Sequence, residues 1–402
     1  MLRRNFLISA AAARAAAFAQ NQEQEKDTVV ARPTMDRTPR VGIVLSSFTG
    51  SQDHDGTVVK GLADPAPVDA ALSDRQIDAM VRLAMSLGAR RRGSLAGPAA
   101  NEDWVVIRPR IETCFGLEGG VHHRYLRGSV TDLRVVRSVI SYLVDRKRGA
   151  RFTIAEGSGE WQPRDRSKAA ADGWTTDWGG EFGGLSYRKL VDELSKAHPG
   201  IVFDLVDLNF DEPILLPLRH QALARNNAGG TYFVPKTIQQ CDRLITVGPL
   251  ATQDSTGVSL SLAGYWNIAP GAKYGFPKDG LLKLGTPDEV VIDLFSYRPA
   301  EYAVLGGGWG LEGGWPSDPG VRSVHHNLIV AGTNALSVDA TGAALMGFDP
   351  AEIRHLQLAE QRGFGETMLD LIWTRGNQVD QARRVFRKPP AWKPWKPPAS
   401  YY

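Results

Sequence analysis

From residue 41 onward, patterns that fit buried strands alternate with patterns that fit helices. "VGIVLSS" at 41–47 is a short continuous apolar run suited to a buried strand. "SDRQIDAMVRLAMSL" at 73–87 repeats its apolar residues at helical spacing behind Ser73, a residue suited to capping a helix N-terminus. "DWVVIRP" at 103–109 predicts a second strand. "TDLRVVRSVISYLVDRK" at 131–147 predicts a helix in which Val135, Val136, Val139, Ile140 and Leu143 form one apolar stripe, and "RFTIAE" at 151–156 returns to a strand. A helix over 186–197 leads to "GIVFDLVDL", and "PKTIQQ" precedes the strand "DRLITVG" at 242–248. "EYAVLGG", "HNLIVAG" and the small-residue helix "ALSVDATGAALMGF" at 335–348 come next. A mostly parallel sheet with helices on both faces buries such an alternation most simply, so the expected fold class is α/β.

Two stretches break the rhythm. Residues 157–185, "GSGEWQPRDRSKAAADGWTTDWGGEFGGL", form a long irregular insertion rich in Gly, Trp and charge, and insertions of that length are usually functional or mobile. The C-terminal "RKPPAWKPWKPPASYY" is Pro-rich and reads as an extended tail, either packed by its tryptophans or disordered. Residues 20–40 are polar and aperiodic, as in a linker. The expected organisation is therefore an export signal over 1–19, a linker over 20–40, a single α/β domain over 41–365, and an extension over 366–402.

"GWGLEG" at 308–313 has the G-x-G-x-x-G spacing of a dinucleotide-binding turn. A strand does lead into it. The next residues, "GWPSDPGVRS", bring two prolines where such a site begins a helix, and without that helix N-terminus a pyrophosphate loses its dipole and its free N–H groups. There remains a tight or flexible loop at a strand end, where ligands sit in open α/β sheets, or a surface turn with no ligand. In the first case Glu312 is its ionisable group. In "VAGTNALSVDATGAALMGFDP" a strand stops at Gly332, Thr333 or Asn334 caps the next helix, and Asp339 falls in that helix's second turn among small residues. A buried Asp must be paired, so Asp339 is either a structural anchor or a site residue.

Composition narrows the function classes. The chain of 402 residues has 43% hydrophobic and 23% charged content, ordinary for a soluble globular protein. Its opening "MLRRNFLISAAAARAAAFAQ" reads as a secretory signal with cleavage after Ala19, and "RRNFL" resembles the twin-arginine address of proteins exported already folded. Loss of Arg3, Arg4 and Arg14 with that segment takes the formal charge from +3 to zero, which argues against nucleic acid as a partner. The expected location is periplasmic or extracellular, with the twin-arginine export machinery as a partner. No later run approaches the ~20 apolar residues of a membrane span. Cys114 and Cys241 are the only cysteines, too few for a cysteine-ligated iron–sulfur cluster within the chain.

Several motifs in fixed order carry a family resemblance: "VVIRPRIE", "TDLRVVRSVISYL", "FTIAEGSG", "YFVPKTIQQCDRLITVGPLAT", "STGVSLSLAGYWNIAPG" and "LIVAGTNALSVDATGAALMGFDP". From about Val41 to Gly365 the chain resembles the domain-of-unknown-function family 362. Some members of that family carry ferredoxin-like cysteine modules, which implies redox chemistry for those members, and the resemblance alone implies an oxidoreductase-like activity for this chain. This chain departs from the family pattern at several places. Arg108 and Arg110 stand where the family favours Lys and Asn. "PLATQD" replaces a Lys-x-Lys-Thr-His-like stretch, and Ala263 and Gly264 replace a Lys-Asn pair. The Asp usual before the glycines is absent. If the replaced Lys and His are the family's chemical groups, this member's activity is altered or lost.

The resulting expectation is a site at the strand ends beneath the 157–185 insertion. Arg108, Glu156 and Asp339 are the candidates for catalysis. Gly308, Gly310, Glu312, Gly313 and Asn334 are the candidates for holding a cofactor or unknown small-molecule ligand, whose identity stays open. The competing expectation is a non-catalytic module that binds a ligand or another protein. The adjacent pairs His122, His123 and His325, His326, with His54 in "DHDG", read first as solvated loop histidines. One His from each pair with Glu112 or Asp55 would make a composite metal site.

Overall fold

The computed structural model describes residues 39–53, 55–89, 99–111, 127–158, 176, 178–180, 182–315 and 320–396. Among these residues thirteen strands are present: β1 (Arg40–Leu45), β2 (Gly50–Gln52), β3 (Val58–Lys60), β4 (Trp104–Pro109), β5 (Arg151–Glu156), β6 (Val202–Asp207), β7 (Pro213–Pro217), β8 (Thr231–Pro235), β9 (Arg243–Gln253), β10 (Gly257–Ser259), β11 (Tyr302–Glu312), β12 (Arg322–Gly332) and β13 (Trp373–Gly376). The main sheet has the order β13-β1-β12-β11-β9-β4-β5-β6, with β10 added to β9. β2–β3 and β7–β8 form separate two-stranded hairpins.

Along the main order, β12 alone runs against its neighbours, being antiparallel to both β1 and β11. The remaining neighbour pairs are parallel. The expected α/β class with a mostly parallel sheet is therefore what the chain adopts.

Period-2 alternation splits each central strand between two cores. Ile43, Val106, Leu244, Leu305 and Val330 face one side. Val44, Val105, Ile107, Ile245, Val304 and Ile329 face the other. The second side is covered by α1 (Asp74–Leu87), α2 (Leu133–Asp145) and α3 (Tyr187–Ala197). The first is covered by α4 (Pro287–Tyr297), α5 (Ala335–Leu345) and α6 (Arg354–Gln361), with a 3-10 turn at Ala263–Ile268. Ser73 caps α1 as expected, in a reciprocal capping box with Gln76.

Two expectations are corrected. The glycine run at 308–313 is not a loop: β11 continues through Glu312, with its register shifted between Gly307 and Trp309. Gly306 and Gly307, at φ +103° and +146°, absorb that irregularity in a conformation that L side chains rarely adopt. His325 and His326 are strand residues of β12, not loop residues. The C-terminal extension beyond Gly365 packs on the sheet, where β13 pairs with β1 along the edge and Asn377 Oδ1 accepts from Leu45 N at 2.9 Å.

The proline-rich tail packs as far as it is described. Phe386 is buried, Trp392 meets Phe348 edge-on, and Trp395 N donates to Glu352 O. Cys241 is a free buried thiol whose pKa burial pushes up to about 12. Cys114, His54, His122, His123, Glu112 and most of the 157–185 insertion lie outside the described residues.

Candidate functional site

Parallel pairing delivers the last residues of β4, β5 and β6 to one end of the sheet, and there they form a buried polar layer. Arg108 and Glu156 are 1% and 0% exposed, and Arg108 Nε donates to Glu156 Oε2 at 3.1 Å. Glu156 Oε1 also accepts from Asn267 Nδ2 at 2.8 Å and from Ile111 N at 3.4 Å. Asp207, at the end of β6, accepts from Asn209 N and Thr176 N. Asn209 in turn links Ser158 O to Gly271 N. A buried charge needs this density of partners, and breaking such a pair by removing one member costs about 3–5 kcal/mol.

Lys278 closes the layer. Its Nζ, fully buried, donates to Gly157 O at 2.9 Å and Asn267 O at 2.8 Å. Burial lowers its pKa to about 7, although the Glu156 and Asp207 charges pull the other way and Arg108 adds to the fall. At neutral pH this amine is thus poised between its two protonation states.

Asp339 lies on α5 close enough to Arg108 to feel its charge. Both its oxygens are engaged by main chain, Oδ1 by Ser261 N at 3.0 Å and Oδ2 by Leu262 N at 2.8 Å. Burial pushes its pKa up to about 8. These contacts give it the work of anchoring the turn at 261–262 to the helix.

Glu312 and Asn334 do not join the layer. Glu312 pairs with Arg322 and accepts from Arg387 N, fastening the tail to the far end of β11. Asn334 caps α5 through Ser337 N and donates to Phe364 O. Because β12 is antiparallel, its last residue Gly332 pairs with Val41 and Ala303, near the starts of β1 and β11. Asn334 therefore stands at the edge opposite the carboxyl ends of those strands. Gly310 packs on Phe386 and Gly313 on Arg387.

Gly308 has a different setting. It lines a cavity of about 640 Å³ together with Arg127, Arg134, Phe182, Trp309, His325 and Asn327, a volume suited to a small molecule. Trp309 and His325 are paired across β11 and β12, with ring centroids 3.4 Å apart. Arg127 lies 5.3 Å from the Trp309 ring centre and Arg134 lies 5.6 Å from that of Phe182. Arg134 is neutralised by a two-point contact with Asp132, at 3.0 and 2.7 Å, and Asp132 Oδ2 also accepts from Gly308 N at 3.4 Å. Tyr187 connects the two regions: its buried hydroxyl makes no hydrogen bond among the described residues, and the charges of both Glu156 and Asp132 add to burial in raising its pKa.

Sequence patterns lend no prominence to Lys278, Asn267, Asp207 or the cavity arginines. Lys278 sits in "FPKDG", which has the composition of a surface turn, and Asn267 lies in an apolar motif with nothing local to mark it. His326, read as solvated, is buried with Nε2 against Ala382 O, and its pKa falls to about 4 through desolvation. Among the described residues no group of three His, Cys, Asp or Glu is placed to hold a metal ion.

The sequence profile of the family described as Domain of unknown function (DUF362) matches residues 120–344. No curated protein sequence matches the chain. Among solved structures, the chain is similar to the lactate racemase apoprotein from Thermoanaerobacterium thermosaccharolyticum, with 11% identity, a TM-score of 0.31, and coverage of 69% of this chain and 58% of that one. The chain thus spans somewhat over half the length of that protein, and a likeness at this score carries no inference about function. Among the described residues no helix is long and apolar enough to cross a membrane.

Proposed function

We propose, for a chain that belongs to the DUF362 family, an exported binding protein whose small-molecule ligand occupies the cavity beside Gly308 and Trp309. One observation carries this reading: two arginines, a histidine and an asparagine converge on a single open cavity of about 640 Å³, in which Gly308 presents no side chain. Export is supported by the paired arginines and small-residue cleavage pattern of residues 1–20. An enzymatic role is the second reading. It is favoured by Lys278, an amine held near neutrality beside Arg108 and Glu156, since catalytic groups are commonly tuned towards the operating pH. In that reading Arg108 and Glu156 retain their proposed roles, and Asp339 acts through the turn it holds.

The test is native mass spectrometry of the mature chain, residues 20–402, purified from its own export compartment, beside a Gly308→Leu variant. A Cβ at Gly308 would lie 3.3 Å from Arg134 Nη2, 3.5 Å from Asn327 Oδ1 and 3.9 Å from Asp132 Oδ2, so Arg134 must yield by a few tenths of an ångström for leucine to enter the cavity. The wild-type chain is expected to carry an added small mass that G308L lacks, with circular dichroism showing the same secondary structure in both. A wild-type chain without any added mass, whose melting no small-metabolite panel raises, overturns the reading.

A further inference from the structure

Alternation along β12 turns His325 towards the cavity and His326 towards the opposite face, where the C-terminal tail crosses the β11–β12 pair. There His326 is 3% exposed, with its ring 5.7 Å from that of Phe386. Its Nε2 lies 2.9 Å from Ala382 O, which can only accept, so the proton of the neutral ring sits on Nε2 and Nδ1 is left as a bare acceptor. Among the described residues Nδ1 has no hydrogen-bond partner. A second proton would therefore create a buried N–H with nothing to receive it, and a buried charge with no counter-ion. The charge that acts on His326 among the described residues is that of Arg384, from the tail itself, and its sign is the same; no carboxylate of β11, β12, α5 or the tail offsets it.

The tail around this ring is fastened to the body of the fold at separate points. Arg384 N and Phe386 N donate to Leu345 O and Met346 O at 2.8 and 2.9 Å. Arg387 O accepts from Gly313 N, Arg387 N donates to the Glu312 carboxylate, and Trp395 N donates to Glu352 O. Residues 383–396 contain neither helix nor strand, so they can lift as a local unit without unpairing the main sheet.

We propose that residues 382–396 form a strap that acid releases: the neutral His326 ring latches Ala382 and Phe386 onto the face opposite the cavity, and a second proton on that ring lets them go. Opening uncovers Gly310, on which Phe386 packs, and frees the Glu312 carboxylate from Arg387. The strap does not depend on what the cavity holds, since none of the residues that latch it lines the cavity.

Burial lowers the pKa of His326 from its ordinary 6.5 to about 4, against the pull of its hydrogen bond to Ala382 O and with a further push from Arg384. Between those values the opened strap binds the additional proton. Closure is therefore fully favoured above 6.5 and weakens as pH falls towards 4. The opening equilibrium should rise about tenfold from pH 7.5 to pH 5.5.

Hydrogen–deuterium exchange of the mature chain, corrected for the intrinsic pH dependence of amide exchange, tests this. The Arg384 and Phe386 amides are expected to exchange about tenfold faster at pH 5.5 than at pH 7.5, while the Ile245 amide, in β9 between β4 and β11, keeps its protection. His326→Gln retains an N–H for Ala382 O without titrating, and His326→Phe retains a ring beside Phe386. At least one of these variants is expected to hold the strap closed at both pH values, with any smaller rise that remains set by Glu312 and Glu352. Wild-type tail amides that keep their protection in acid, tail and core amides that speed up together, a rise of wild-type size in H326Q or H326F, or a strap that neither variant holds closed overturns the inference.

Discussion

Gly264 and Arg108 show how single residues shape the buried layer. A Cβ at Gly264 would lie 1.9 Å from Arg108 Nη1 and 2.7 Å from its Cζ. Arg108 cannot swing away easily, since it is 1% exposed and tied to Glu156. The glycine and the arginine therefore fit as a pair. Gly264→Ala is expected to cost ~1–3 kcal/mol in denaturant unfolding, as overpacked cores do. Adding Arg108→Lys, which removes the clashing nitrogens, should make the double variant cost less than the sum of the two single changes. Strict additivity would show that the two residues do not share space. Lys278 supports a pH prediction at the same scale. An unfolded lysine titrates near 10.5 and the folded one at about 7. Between those values the unfolded chain binds the additional proton, so this group's contribution to stability rises with pH across the window and is lowest below about 7. Asp339 acts oppositely: its folded pKa of about 8 lies above the usual 3.8, so its contribution falls as pH climbs between them. Unfolding free energies of wild type and Lys278→Met, measured across pH 7 to 10.5, should differ by an amount that grows in favour of wild type. A constant difference would mean that Lys278 keeps an ordinary lysine pKa.

At the scale of elements, local patterns were legible wherever burial imposes a period. α1 begins one residue after Ser73, and β5 occupies the very residues its pattern marked, because strands and helices packed on a core repeat their apolar positions. Direction and length were not legible in the same way. β12 has the same apolar run whether it lies parallel or antiparallel, so nothing in "HNLIVAG" signalled that Asn334 would end up away from Arg108. The glycines of β11 resembled a loop because a strand between two partners gains side-chain contacts that glycine lacks, and here the backbone ladders to β9 and β12 supply the cohesion instead. Arg108 and Glu156 were identifiable because both end strands that pair in parallel with their neighbours. Lys278 and Asn267 reach the layer through tertiary packing of irregular segments, which leaves no periodic trace.

At the scale of the whole molecule, the last segment of the chain decides where the folding unit ends. β13 gives β1 a partner over Arg40 to Ile43, and Asn377 satisfies Leu45 N. Further on, Ala382 O receives His326, and Phe386, 2% exposed, packs beneath Gly310 and against the His326 ring. Arg387 exchanges main-chain hydrogen bonds with Gly313 and the Glu312 carboxylate, and Trp392 covers Gly257. Residues 366–396 thus touch β1 and the Gly310–Gly313 and His326 end of the β11–β12 pair. A chain ended at Gly365 would bare an unpaired sheet edge and the surface under Phe386, so it is expected to be insoluble or to melt well below the chain that keeps residues 366–402. Phe386→Ala provides the graded version, with an expected loss of about 3 kcal/mol from the deleted ring and the cavity left behind. Circular dichroism melts of the full chain, the shortened chain and F386A measure both effects. A shortened chain with an undiminished melting temperature would return the domain boundary to the end of the family-like region, and would make the tail a passenger on a sheet that needs no edge strand.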